Sequence, residues 1–390
     1  MIGCAAMKEN ATGKILADGQ CQYAFHVETR AGQGESVRNA LKGWKDGVRT
    51  AKGFGVESIE ALCAKVRTIP GVERVMPTGP RSALPLALRM ACGLTGTPGG
   101  FAGHIGKGIL SDGIRSEFKA WNIDFLPRKE FDGDMPAAFM VFDPDDQSEH
   151  ETVTLYPLSR AEYKHRSYFE PQDIAQADGL LLNRVNEGVL DLVRQAKAAG
   201  RPNCLRIHGY NRHVKFDDYR PLLPLVDHLI LDAGHNALRD TANGLGLNPP
   251  RGWPEAGPLQ MDFLREMAAA LDAIAGKSLL HGIHINGRNT LVLMGKAGQA
   301  SYSFKPVVPE GRLCDLKATS RVQGAVLAGI LLNKAEFDLD MAIFQPRSEA
   351  GLAKLAEWAY RAAHHGILNV PWEWPDTSFG LAHMQTRVQE

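Results

Sequence analysis

From about residue 135 onward the chain alternates short β-rich runs with helical runs, and that alternation limits the fold more than any other feature of the sequence. The spacing predicts strands over 136–142, 152–156, 179–182, 203–207, 227–231 and 279–285, and helices over 187–200, near 217–224 and over 259–274. The run Asp227-His-Leu-Ile-Leu is apolar without alternation, as suits a strand covered on both faces. A hairpin is predicted from 290–294 and 300–304. Parallel neighbours need crossover connections, so strands separated by helices imply an α/β fold with a mainly parallel central sheet flanked by helices. Ligands of such sheets sit outside the carboxyl ends of the strands.

Upstream the pattern is weaker. Val56, Ile59, Leu62, Val66 and Ile69 recur at helical spacing, and the run from Ala83 reads as a second helix with Pro85 in its first turn. Residues 95–108 are dense in glycine, so the backbone there must turn tightly or approach something closely. No strand can be placed before residue 70. The expected organisation is an atypical segment over 1–70, one α/β domain over 71–370 and a C-terminal tail over 371–390.

Charge and cysteine usage narrow the function classes. The 390 residues carry 44 basic and 44 acidic side chains, which gives no long-range attraction to nucleic acid or to an anionic membrane. The chain lacks both the apolar length of a membrane span and the basic start of a signal peptide, so a cytoplasmic protein is expected. Cys4, Cys21, Cys63, Cys92, Cys204 and Cys314 form no CxxC pair, and read as reduced, buried thiols rather than disulfides or a zinc finger.

Several phrases between residues 78 and 366 resemble the ribokinase-like (PfkB-type) carbohydrate kinases. Thr78-Gly-Pro-Arg-Ser-Ala-Leu-Pro-Leu-Ala resembles the family's early sugar-contact turn. Gly103-His-Ile-Gly-Lys-Gly-Ile-Leu-Ser-Asp-Gly-Ile is similar to the strand, glycine turn and helix that follow it, and Phe142-Asp-Pro-Asp-Asp, Gln176-Ala-Asp-Gly-Leu-Leu-Leu and Leu225-Val-Asp-His-Leu-Ile-Leu fall in the family's order. The resemblance implies a three-layer ribokinase-like sandwich and substrate contacts at Gly79 and Gly108. It also implies ATP and Mg2+ as cofactors if the protein is active, and none otherwise.

The functional phrases depart from the family pattern. Its Gly-Ala-Gly-Asp loop opens a helix whose N–H groups hold phosphate and whose aspartate takes the acceptor's proton. Anchored on Ala328-Gly329, the aspartate's place falls on Gly324, and the phosphate contacts fall on Arg321, Gln323 and Gly324, with Gly287 from the reduced phrase Ile285-Asn-Gly287. Asp315 and Asp232 remain as weak candidates for a substitute acid. The metal-organising Asn-x-x-Glu becomes Asp232-Ala-Gly-His235, which leaves Asp232 and His235 as candidate metal contacts. The sugar-binding Asn of the early turn is Ala83, and the first strand, which usually carries a sugar-binding Asp, is not recognisable.

The function expected from these departures is a divergent carbohydrate-kinase-like protein, a pseudokinase impaired in phosphoryl transfer, that binds a sugar, a nucleoside or a protein partner. One alternative is an active sugar or nucleoside kinase with a non-standard acid. A weaker one is a metal enzyme built on His208, His235 and His284, although neither these nor His213, His281, His364 and His365 form an HExxH pattern. By analogy with the family a homodimer is expected. Asp132, Asp134 and Asp143 read as turn residues, Trp358, Trp372 and Trp374 as packing groups, and Ser82 and Ser111 lack a nucleophile elbow.

Overall fold

The computed structural model describes residues 13–19, 21–145, 151–158, 169, 171–183, 185, 188–207, 214–232, 237–250, 259–285, 290–303 and 319–368. Nine strands form one sheet: β1 (Lys14–Asp18), β4 (Gly99–Ile105), β5 (Ile123–Glu130), β8 (Ala177–Leu182), β9 (Asn203–Ile207), β10 (His228–Asp232), β11 (Leu280–Ile285), β12 (Thr290–Gly295) and β13 (Gly298–Ser303). Their spatial order is β13-β12-β11-β10-β9-β8-β1-β4-β5. Pairing is parallel from β5 to β11, and the predicted hairpin β12–β13 closes one edge antiparallel.

Side chains on successive strand residues point to opposite faces, which separates two cores. Ile15, Ala17, Leu181, Cys204, Ile230 and Leu280 join the core beneath α4 (Ala83–Thr95), α5 (Ile109–Ala120), α11 (Thr319–Leu332) and α12 (Glu349–Leu368). Leu16, Leu180, Leu182, Leu205, Leu229 and Leu231 join the other, under α6 (Pro171–Ala175), α7 (Val189–Ala198), α8 (Phe216–Tyr219), α9 (Ala237–Gly244) and α10 (Leu259–Ala275). The result is the expected helix–sheet–helix sandwich.

A second sheet of four strands, in the order β3-β2-β6-β7, is built from β2 (Gln22–Thr29), β3 (Val72–Arg81), β6 (Ala137–Phe142) and β7 (Glu151–Leu155). Its face carrying Tyr23, Phe25, Val27, Phe139 and Val153 packs with Val37 and Leu41 of α1 (Gly34–Gly43) and Leu62 and Val66 of α3 (Ile59–Arg67), with α2 (Lys45–Thr50) between those helices. Phe25 and Phe139 stack at 5.1 Å between ring centroids. Two carboxylates fasten these layers at helix starts. Asp143 accepts from the backbone N–H groups of Gly32 and Gly34 at 2.9 and 2.7 Å, which holds its carboxyl below its ordinary pKa. Asp134 accepts from Leu110 and Ser111 at the start of α5.

Three sequence expectations change. The segment 1–70 is not set apart from the sheets: its described part supplies β1 to the centre of the large sheet and β2 to the small one. The first strand is therefore present, but five residues buried on both faces leave little periodicity to detect. The helix near 217–224 is one short turn, α8, followed by a 3-10 turn over Arg220–Leu222, since Pro221 and Pro224 cannot donate the backbone hydrogen bonds of a longer helix. Cys21, Cys63, Cys92 and Cys204 are buried and unpaired by disulfides, and among the described residues no helix is long and apolar enough to cross a membrane.

His228 opens β10 with its side chain fully buried, and among the described residues neither ring nitrogen has a hydrogen-bond partner. Burial pushes its pKa down to about 4; Asp227 opposes that shift, and Lys277 and Lys197 add to it. The unfolded chain takes up this proton near pH 6.5, so the contribution to stability is complete above that pH and is lost as pH falls toward about 4, amounting to roughly 3 kcal/mol. Denaturant unfolding from neutral pH to pH 4.5 should therefore fall more steeply for the wild-type chain than for His228→Leu. Equal slopes would contradict the assignment.

Candidate functional site

The order in which strands join the large sheet reverses at β1. The chain extends from β1 through β4 to β5 on one side, and from β8 through β11 on the other. In open α/β sheets the carboxyl ends of strands at such a reversal are the usual ligand position. Asp18 ends β1 at this reversal with 4% of its surface exposed.

Helix α11 is fastened across the same place. The buried Gln323 side chain donates from Nε2 to the carbonyls of Leu182, at the end of β8, and Cys204, in β9, both at 2.9 Å. This amide is a clamp between helix and sheet. Gly324 is a packing position too. A Cβ there would stand 2.1 Å from the Ala87 carbonyl oxygen and 3.0 Å from Met90 Cβ, both on α4. An aspartate at 324 would be driven into the backbone of α4, so the place of the catalytic acid does not fall on this residue. Arg321 lies in the first turn of α11, half-buried, and faces a second cation: burial and then Arg321 push Arg89 of α4 down to about 9, while Glu117 opposes them.

The neighbouring strands carry a buried ion pair. Arg206 of β9 donates from Nη2 to Oδ2 of Asp232, the last residue of β10, at 3.0 Å, and the two side chains are 2% and 3% exposed. Burial lowers the pKa of Arg206, and the Asp232 carboxylate opposes that shift. His284 is the register partner of Asp232 on β11, fully buried, with its ring 5.6 Å from that of Tyr360 on α12.

Asp232 is thus held by a guanidinium. Among the described residues no three His, Cys, Asp or Glu side chains converge as a metal site requires. These residues do not fit a magnesium ion, and no chemistry is assigned to one. His235, Gly287 and Asp315 lie outside the described residues, as do His208, His213, Trp372 and Trp374. His281 and His284 point to opposite faces of β11, His281 pairing with Asp272 of α10 at 2.8 Å, so they share no site. Gly79 adopts φ +79° in β3 with Glu117 against it, and Gly108 leaves room for Asp134, whose Cγ would lie 2.5 Å from an added Cβ. Ser111 is likewise bonded to Asp134. The sequence reading missed Asp18 and Arg206. The acid after Ile-Leu-Ala was a usable signal for Asp18, whereas Arg206 resembles any polar residue within a strand.

No family model matches the chain, and no curated protein matches it. Solved structures do. Ribokinase from Giardia lamblia superposes with a TM-score of 0.61 at 12% identity, covering 96% of this chain and 99% of that one. Ribokinase from Thermotoga maritima gives 0.59 at 10% identity over 97% and 100%. A ribokinase II protein from E. coli in complex with ATP and Mg2+ gives 0.59 at 13% identity over 97% and 99%. The chain has the ribokinase-like fold. The architecture expected from the sequence is therefore the observed one, while identities this low establish fold alone.

Two variant sets test the site's construction. Removing one partner of a buried ion pair costs about 3–5 kcal/mol, whereas apolar replacement of both is often close to neutral. Arg206→Met and Asp232→Leu should each destabilise by that amount, and the double variant should recover most of the loss in a denaturation cycle. Gly324→Ala should cost roughly 2 kcal/mol through overpacking against α4, read as a lowered unfolding midpoint.

Proposed function

We propose that this ribokinase-like chain is a divergent carbohydrate-kinase-like protein that binds a small polyhydroxylated ligand, a sugar or nucleoside, and is impaired in ATP-dependent phosphoryl transfer. The buried Arg206–Asp232 pair carries this reading, because it commits to the protein's own cation the carboxylate otherwise available to a metal. General-base catalysis is worth about 10²- to 10⁴-fold, and losing charge neutralisation at the transferred phosphate adds to that deficit. The ligand-binding half of the reading rests on Asp18, a buried carboxylate at the carboxyl end of β1, where the strand order reverses.

The test pairs a transfer assay with binding. With ATP, Mg2+ and a panel of sugars and nucleosides, acceptor-dependent turnover should lie at least ~10³-fold below the roughly 1–100 s⁻¹ typical of kinases. Hydrogen bonds to a charged group contribute about 1.5–3 kcal/mol. Asp18→Asn should accordingly weaken calorimetric binding of the sugar or nucleoside that the wild-type chain takes by tenfold or more. Turnover in the ordinary kinase range would overturn the impaired-transfer half. Unchanged affinity in Asp18→Asn would overturn the ligand assignment.

A further inference from the structure

At the amino ends of β9 and β10 two lysines share one carboxylate. Asp227 immediately precedes β10 and is 2% exposed. Its Oδ2 accepts from the backbone N–H of Asn203 at 3.2 Å and from Asn203 Nδ2 at 2.9 Å. That leaves Oδ1 to both lysines: Lys197, from the last turn of α7, reaches it at 2.5 Å, and Lys277, from the link between α10 and β11, at 3.5 Å. One buried negative charge therefore stands against two ammonium groups beside His228, which burial keeps neutral. Other lysines are matched singly, Lys14 with Asp124 at 2.6 Å and Lys52 with Asp132 at 2.9 Å.

The longer contact falls to Lys277. Burial holds its ammonium below the ordinary pKa; Asp227 opposes that shift and Lys197 adds to it. Its side chain is nevertheless 28% exposed. A lysine that is partly desolvated, short of a carboxylate and still accessible combines the conditions for a nucleophilic amine at neutral pH.

We propose that Lys277 is an acyl-acceptor site of this chain, its ε-amine attacking activated acyl groups of the acyl-phosphate class. The amine lone pair forms the C–N bond, the C–O bond to phosphate breaks, phosphate leaves with that electron pair, and the nitrogen releases one proton to water. The product amide is neutral, so modification removes the surplus positive charge and leaves Lys197 as the sole cation on Asp227.

Acetyl phosphate and the full-length protein suffice for the test, with site-resolved rates from peptide mass spectrometry near neutral pH. Each pH unit by which an ammonium is lowered raises the free-amine fraction about tenfold. Lys277 should acetylate several-fold faster than Lys14 and Lys52, a comparison that needs no variant. In Lys197→Met the freed Asp227 oxygen should pair with Lys277, slowing its acetylation several-fold and moving its pH dependence upward. A Lys277 rate no greater than those of Lys14 and Lys52 would overturn the proposal, as would a rate and pH dependence unchanged in Lys197→Met.

Discussion

The insertion of β1 between β8 and β4 is the constraint on which the rest of the structure depends. Four of its five residues pair in parallel on each side, sending Leu16 into one core and Ile15 and Ala17 into the other. Without this strand the sheet would divide into a β4–β5 fragment and a β8–β13 fragment, each with an exposed edge. The same insertion sets the reversal of strand order and puts Asp18 at the carboxyl end of β1 beside it. The sheet is thus a consequence of pairing between β1 and segments more than 80 residues away.

Around that reversal the polar groups are engaged with one another. Gln323 fixes α11 to two strand ends, Arg206 neutralises Asp232, and Gly324 brings α11 against the backbone of α4. Each contact is buried, so each is costly to break and holds a single geometry. A site intended to admit a hydrated divalent ion needs carboxylates that exchange water for metal, and this one has committed its carboxylate to a guanidinium. The architecture of the ribokinase-like structures is retained, and in this chain a buried ion pair joins the ends of β9 and β10.

Much of the fold was legible because its periodicities are unambiguous. The helix over 187–200 and the strand over 279–285 correspond to α7 and β11, and the apolar run at 227–231 proved to be a strand covered on both faces. The site was legible only in part. Helix α11 is apolar nearly all round, with Val322, Ala325, Val326, Leu327, Ala328 and Ile330 all buried, so the sequence offers no polar face by which to orient it. Aligning it by a phrase at its far end consequently put the acid's place on Gly324, a residue turned toward α4. Arg206 and Asp232 are 26 residues apart on adjacent strands, and no local pattern announces such a pair.

Electron paramagnetic resonance titration with Mn2+, a magnesium surrogate, tests the central claim most directly, carried out on the wild-type chain and on Asp232→Asn. If Asp232 is committed to Arg206, equimolar Mn2+ should keep the spectrum of the free ion in both proteins. One tightly bound Mn2+ per wild-type chain, lost in Asp232→Asn, would contradict the account.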